Sequence, residues 1–293
     1  MKLVIPSYNR AQNISTPFLN VFGAYDKTIL LHGKEQVKEY KKYNEYNKIK
    51  LLDTGVKTQK DGTGLPMQRK HYIDNYMEDG EWVLFADDNI SFVEGVLPHK
   101  IWKNKTIDET DKDFFGKYSS RLFYERIEEI KDYADAIGAY HIGFQTSKNY
   151  FYAHKKYRTR GYVIGKMTLW KKDKNFNFDL PFCHMEDFHF TLMHLSQYGK
   201  VLICDYLWAN ATHYQQGGLG TSAHRRSARI DSIAYLVSKY PQIVKVKKRK
   251  DNYPDLRITN MSDFNFKMWH KQYNAFKKHY VFNNESNVWV KND

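Results

Sequence analysis

A chain of 293 residues with 42% hydrophobic content is long enough to bury a core and too apolar for global disorder. Its 46 Lys and Arg against 33 Asp and Glu leave a net charge of +13, a field that favours polyanionic partners: nucleic acid, an anionic membrane or phosphate-bearing ligands. Two cysteines, Cys183 and Cys204, make no disulfide framework and suggest buried, reduced thiols.

Residues 3–5 read as a short apolar strand that closes in Pro6-Ser7-Tyr8-Asn9-Arg10. A second strand is expected at 28–31, followed by a polar helical stretch over 35–43, and a third strand at 49–52. The spacing predicts a helix over 66–77 and a fourth strand over 82–86 that runs into Asp87-Asp88-Asn89. Residues 95–115 look irregular and charged, an insertion. A helix follows with Leu122, Phe123, Ile127, Ile130 and Ala134 on one face, then a strand at 140–146. A second helix opens at Glu186-Asp187, turns Phe188, Leu192 and Leu195 inward, and stops at Gly199. A strand over 201–204 and a helix carrying Ile230, Ile233, Val237 and Tyr240 complete the regular part, and Pro241 ends that helix. Beyond Lys245 the chain reads as a basic, irregular C-terminal appendage. Strands alternating with helices imply βαβ units and a largely parallel sheet, with ligands bound beyond the carboxyl ends of the strands. No apolar run approaches the roughly 18 to 20 residues of a membrane span, and no signal-peptide layout opens the chain, so a soluble, cytoplasmic protein is expected.

Two acidic pairs carry the chemistry. Asp87 and Asp88 follow a buried apolar run, where two like charges stay ionised only beside a cation or strong hydrogen bonds. Oxygen ligands of this kind suit Mg²⁺ or Mn²⁺ bridging a substrate diphosphate, with Asn89 as a further ligand. Asp-Asp-Asn is equally good turn chemistry, so the residues alone leave both readings open. Glu186 and Asp187 open a helix, where they serve as N-terminal caps or, in a cleft, as a general base toward a hydroxyl. His213 is a candidate third metal ligand or a structural histidine. Gly217 and Gly218, followed by His224, Arg225 and Arg226, look like a mobile loop that brings positive charge to phosphates.

Taken in order, these segments resemble glycosyltransferases of the GT-A type, the group that includes the family 2 enzymes. Val4-Ile5-Pro6-Ser7-Tyr8-Asn9-Arg10 is similar to their opening strand and turn, and the segment from Gly62 to Arg69 to the Gly-rich stretch before their nucleotide contacts. Asp87-Asp88-Asn89 stands where their metal-binding DXD motif lies, and Glu186-Asp187 matches their later acidic pair, whose Asp is the base in inverting members. Gln68-Arg69-Lys70 departs from the family pattern by lacking an Asn. The resemblance covers residues 2–215 and implies a Rossmann-like GT-A fold, a mostly parallel central sheet flanked by helices. It further implies Mn²⁺ or Mg²⁺ as cofactor and a UDP-sugar donor held by Pro6, Ser7, Tyr8, Asn9, Arg10, Gln68 and Arg69. The corresponding division is a catalytic domain over 1–240, made of a nucleotide-sugar half (1–94), an insertion (95–118) and an acceptor half (119–240), with a basic extension over 241–293. Within the group the chain looks most like the TET-associated, phage-type enzymes, which implies 5-hydroxymethylcytosine or a related pyrimidine in DNA as acceptor.

Composition argues separately for nucleic acid. Between Lys148 and Lys174 cations alternate with rings, and Lys155, Lys156, Tyr157, Arg158, Arg160 and Tyr162 form its centre. Cations that track phosphates and rings that stack on bases are the chemistry of flipped-base or single-strand binding. A solvated hairpin with cross-strand ring pairs fits the same residues. A polysaccharide or protein glycosyltransferase and a non-catalytic DNA-binding module are the competing functions.

Overall fold

In the computed structural model of the chain the described residues are 1–56, 64–97, 115–146, 157–177, 184–211, 222–247, 254–259, 261, 264–283 and 288–291. Lys155, Lys156, Cys183, His213, Gly217 and Gly218 lie outside them, as do the side chains of His224 and Arg225. The first half runs β1 (Lys2–Pro6), β2 (Asp26–Leu31), α1 (Gly33–Lys41), β3 (Lys50–Asp53), α2 (Gly64–Tyr76) and β4 (Trp82–Ala86). Then come β5 (Ile90–Val96), β6 (Phe115–Lys117), α3 (Ser120–Ile137), β7 (His141–Phe144), β8 (Tyr157–Arg158) and β9 (Met167–Lys171). α4 (Glu186–Tyr198), β10 (Leu202–Cys204), β11 (Leu207–Ala211) and α5 (Ser222–Lys239) follow.

The central sheet has eight strands in the order β3-β2-β1-β4-β9-β7-β10-β8. β3, β2, β1 and β4 pair in parallel, and so do β7 and β10, while β9 and the edge strand β8 run against their neighbours. The chain moves outward from β1 to β2 and β3, then returns to β4 on the other side of β1. Strand order therefore reverses between β1 and β4, and the crevice beyond their carboxyl ends is the place where such sheets bind ligands. Because β9 is antiparallel to β4, its beginning lies at that same edge: Asp87 N–H donates to the Lys166 carbonyl at 2.8 Å.

Side-chain alternation along the strands decides what faces what. Leu3 and Ile5 of β1 and Leu84 and Ala86 of β4 belong to one buried cluster, with Phe22, Tyr40 and Phe123. Val4, Val83 and Phe85 face the opposite cluster, against Tyr72 and Ile73 of α2 and Phe190 of α4. Continuing the parity past the strand ends puts Ser7 and Asp88 on the first face and Asp87 on the second.

Several expectations are corrected. The insertion is bounded by paired strand, not irregular chain: β5 and β6 are antiparallel with Gly95 opposite Gly116, and β5 also pairs with β11. Gly95 hid the strand, and its glycine is required there. A Cβ would meet the Tyr118 hydroxyl and come within 2.6 Å of the Tyr206 carbonyl. Residues 167–171, inside the stretch read as a cation-and-ring surface, are instead the central strand β9, whose Trp170 is 3% exposed. His224, Arg225 and Arg226 lie in the first turns of α5, not in a loop. Ile230 on that helix is 50% exposed, and the buried face runs through Ser232, Ile233, Leu236 and Tyr240.

The C-terminal segment is regular as well: β12 (Val244–Lys247) pairs antiparallel with β13 (Asp255–Ile258), α6 (Phe266–Phe276) follows, and β14 (Tyr280–Asn283) pairs with β15 (Val288–Lys291). Ile243, Val244, Leu256, Phe266 and Trp269 share one buried cluster with Leu192 and Leu195 of α4 and Ile203 of β10. Residues on both sides of position 240 thus close the same core. Among the described residues no helix is long and apolar enough to cross a membrane.

Candidate active site

Asp88 sits at the end of β4 with 6% of its surface exposed, and both its carboxylate oxygens are used. Arg10 Nη1 donates to Oδ1 at 2.6 Å and Ser7 Oγ to Oδ2 at 2.6 Å. Since Ser7 gives its one proton to Asp88, the 2.7 Å contact with Tyr40 has the tyrosine hydroxyl donating to Ser7 Oγ. The backbone N–H of Arg10 donates to the same Tyr40 oxygen at 3.3 Å. The strand end is fastened too: Thr16 Oγ1 donates to the Asp87 carbonyl at 2.5 Å and accepts from Ile90 N–H at 2.8 Å. Asp88 is therefore the anion of a buried network that ties the β1 turn to the end of β4.

Asp87 points the other way, to Arg69. That residue falls in the inward stripe of α2 with Tyr72 and Ile73, which buries its guanidinium to 4% exposure and obliges it to find acceptors. Arg69 Nη2 donates to Asp87 Oδ1 at 2.9 Å and to the Gly165 carbonyl at 3.0 Å, and Nη1 stands 3.6 Å from Glu186 Oε1. Met185, held left-handed at φ 60°, turns the chain into α4 so that Glu186 and Asp187 occupy its positive N-terminus. Asp187 Oδ2 accepts the Tyr162 hydroxyl and Gly165 N–H (3.3 Å), and Oδ1 accepts Phe188 N–H at 2.9 Å. Among the described residues, then, Arg69 brings the two acidic motifs together on one face.

On the Asp88 side lies a cleft of about 450 Å³, lined by Asn9, Arg10, Gln12, Glu35, Gln36 and Tyr40, between the β1 turn and α1. Asn9 takes a left-handed φ of 52°, which Asn tolerates, and exchanges hydrogen bonds with Gln36 across the cleft mouth. Arg10 belongs both to this cleft and to the Asp88 network. A far smaller enclosed cavity lies under Arg69, Gly165 and Asp187, floored by His141, Thr168 and Trp170. His141 Nε2 is 2.8 Å from Thr168 Oγ1, and burial holds His141 neutral, well below its ordinary value.

No protein-family model and no curated protein matches the sequence. The site's chemistry rests on its own geometry.

Burial raises every carboxylate here. Asp87 is pushed up to about 6, opposed by Arg69 and reinforced by Asp88. Glu186 is raised by burial and by the Asp187 charge, against Arg69; Asp187 is raised by burial, against its bonds to Tyr162, Gly165 and Phe188. A carboxyl that binds its proton more tightly folded than unfolded contributes stability that is full below its unfolded value, near 4, and is lost as pH rises through its folded one. For Asp87 that window is pH 4 to 6. Thermal melts of Asp87→Asn are therefore expected to fall less steeply over this window than those of the wild type, and an identical slope would contradict the assignment.

The structure engages the expected acceptor residues internally. Tyr157 stacks on Tyr133 with centroids 4.5 Å apart, Arg158 pairs with Asp205, and Arg160 donates to the Met261 carbonyl at 2.9 Å. Tyr162 is not a free stacking ring: Phe188 covers it at 3.9 Å while its hydroxyl meets Asp187. Of the donor residues, Pro6, Ser7, Arg10, Gln68 and Arg69 are buried, Tyr8 is half-buried and Asn9 is exposed. Arg226 is exposed on α5.

Two participants escaped the sequence reading, Tyr40 and Gly165, and Lys166 was read only as one cation of the stretch from Lys148 to Lys174. Lys166 follows a glycine just before a buried strand, and its Nζ donates to the Ala209 carbonyl at 3.2 Å. A Cβ on Gly165 would lie 3.1 Å from Arg69 Nη1 and 3.3 Å from Asp187 Cβ. Gly165→Ala is expected to cost about 1 kcal/mol of stability, since Arg69 and Asp187 must give way. Denaturant unfolding measures the loss.

Proposed function

We propose that the protein is a glycosyltransferase that moves a sugar from a nucleotide-sugar donor to a hydroxyl acceptor. The observation that carries this reading is the convergence of Asp87, Arg69, Glu186 and Asp187 at the strand-order reversal. Order and spacing of the motifs resemble the GT-A group, and a mixed α/β fold with a large, mostly parallel sheet is compatible with it.

Mg²⁺ or Mn²⁺ fits one residue of the expected set. Asp87 is one-third exposed, and its Oδ2 has no protein partner among the described residues. Asp88 already accepts from Arg10 and Ser7, and no group of three or more ligating side chains occurs among the described residues. Ions of this class take one or two carboxylates and complete their shell with water and substrate phosphates, so a single open carboxylate suits them. When bound, the ion would neutralise charge on the departing diphosphate. The chain's own residues do the rest: Arg69 holds Asp87 and Glu186 in register, and Asp187, raised by burial yet hydrogen-bonded as a carboxylate, takes the acceptor's proton.

A hydroxymethylated pyrimidine in DNA is the acceptor that the resemblance and the +13 charge favour. A glycan or protein hydroxyl is the second reading, favoured by the internal engagement of Tyr157, Arg158, Arg160 and Tyr162. Thermal shifts with UDP-sugars, with and without Mn²⁺, test the donor. At a hundred times Kd a true donor raises the melting temperature by about 4–8 °C. Transfer assays on 5-hydroxymethylcytosine DNA and on glycan acceptors then separate the two acceptors. No shift with any nucleotide sugar would sink the transferase reading.

A further inference from the structure

Residues 161–165 clasp the first turn of α4 through three separate bonds. The Tyr162 hydroxyl donates to Asp187 Oδ2, Gly165 N–H donates to the same oxygen at 3.3 Å, and Val163 N–H donates to Thr191 Oγ1 at 3.1 Å. Thr191 Oγ1 in turn donates to the Asp187 backbone carbonyl at 2.8 Å. Gly161, at φ 144°, gives the bend before the clasp, and the Phe188 ring lies over Tyr162 at an interplanar angle of 20°. A phenol fixed at one end by a ring stack and at the other by a carboxylate has one function its neighbours lack: it sets which oxygen of Asp187 stays available.

We infer that Tyr162 is a positioning residue that orients the Asp187 carboxylate and keeps it ionised as the proton acceptor, an inference that rests on the transferase reading above. An O–H donor stabilises the charged form of a carboxylate, so its loss raises the proton affinity of Asp187. Burial alone pushes Asp187 up, and the Tyr162 bond is the largest opposing influence. The other groups that act on the pair are Arg69 from α2, Asp87 after β4, Glu186 on α4 itself and Arg229 from α5, which acts on Tyr162; the neutral His141 of β7 lines the same small cavity. None of them offers Asp187 Oδ2 a hydroxyl donor in place of Tyr162.

The test is a carbon-13 NMR titration of carboxyl-labelled aspartate in the wild type, Tyr162→Phe and Phe188→Leu, with the Asp187 signal assigned by its loss in Asp187→Asn. The midpoint for Asp187 is expected to rise by about one pH unit in Tyr162→Phe and by much less in Phe188→Leu, which keeps the hydroxyl. The acid limb of kcat/KM for transfer to 5-hydroxymethylcytosine DNA should move up by the same interval. A midpoint unchanged in Tyr162→Phe overturns the inference, as does a midpoint that moves while the acid limb stays in place. Absence of transfer by the wild type to any acceptor overturns the transferase reading instead, and the titration still decides whether Tyr162 governs Asp187.

Discussion

Asp88→Ala is expected to lower the free energy of unfolding by about 3–5 kcal/mol, the range for removing one partner of a buried ion pair. Arg10 and Asp88 have side chains only 9% and 8% exposed, and Arg10 would be left buried without its carboxylate. Ser7 loses its acceptor in the same step, and Tyr40 loses the serine orientation that received its proton. Asp88→Asn keeps an acceptor for Arg10 at the same place and should cost about 1–3 kcal/mol, the range for a single buried group left poorly satisfied. Replacing both charges, as in Arg10→Met with Asp88→Leu, should recover much of the loss. Urea unfolding of the four proteins ranks them. If Asp88→Ala unfolds at the wild-type midpoint, the network has no structural weight.

Asp187→Asn has the larger effect on chemistry and the smaller on folding. An amide of the same shape still accepts from Tyr162 and Gly165 through its oxygen, while its NH2 leaves Phe188 N–H without its acceptor and burial already disfavours the charge it replaces. The melting temperature at neutral pH should therefore change little. Nucleotide binding should persist, since Asp187 lies apart from the Arg10 cleft. Turnover should fall by about 10²- to 10⁴-fold, the usual weight of a general base. Steady-state kinetics alongside isothermal titration with UDP-sugar separate the two quantities. Turnover within threefold of the wild type would remove Asp187 from the reaction.

The two effects differ because adjacent aspartates on a strand end point to opposite faces. That separation was legible in the sequence. Leu84 and Ala86 share parity with Asp88, and Val83 and Phe85 with Asp87, so a single ion gripped equally by both residues was never favoured by the pleat. Arg69 was singled out only through the resemblance, as a donor contact; α2 alternates too weakly for its sequence to mark an inward face, so the pairing with Asp87 and Glu186 was not legible. The acidic start of α4 and its Gly199 stop, at φ 76°, follow ordinary helix-end chemistry. What sequence could not show depends on remote partners. Val246 is 60% exposed, and β12 alternates Val-Lys-Val-Lys, a strand signal of only four residues inside a run of lysines. Its burial comes from Val244, which meets residues of α4 and α6 far along the chain. Tyr162 and Trp170 read as exposed rings in a basic stretch because composition says nothing of Phe188 and Phe190 waiting on another helix.

The placement of β9 has a consequence for biogenesis. Running against β4, it delivers Gly165 and Lys166 to an edge that was already built from residues 7–10 and 87–88, and only α4, later still, adds the last two carboxylates. A ribosome-bound chain that has emerged as far as residue 177 already contains every strand from β1 to β9 and the Arg10 cleft, yet Arg69 has only Asp87 and the Gly165 carbonyl before it. The constellation thus closes late, with Arg69 and Glu186 joining across more than a hundred residues of chain, the kind of contact that is slow to form.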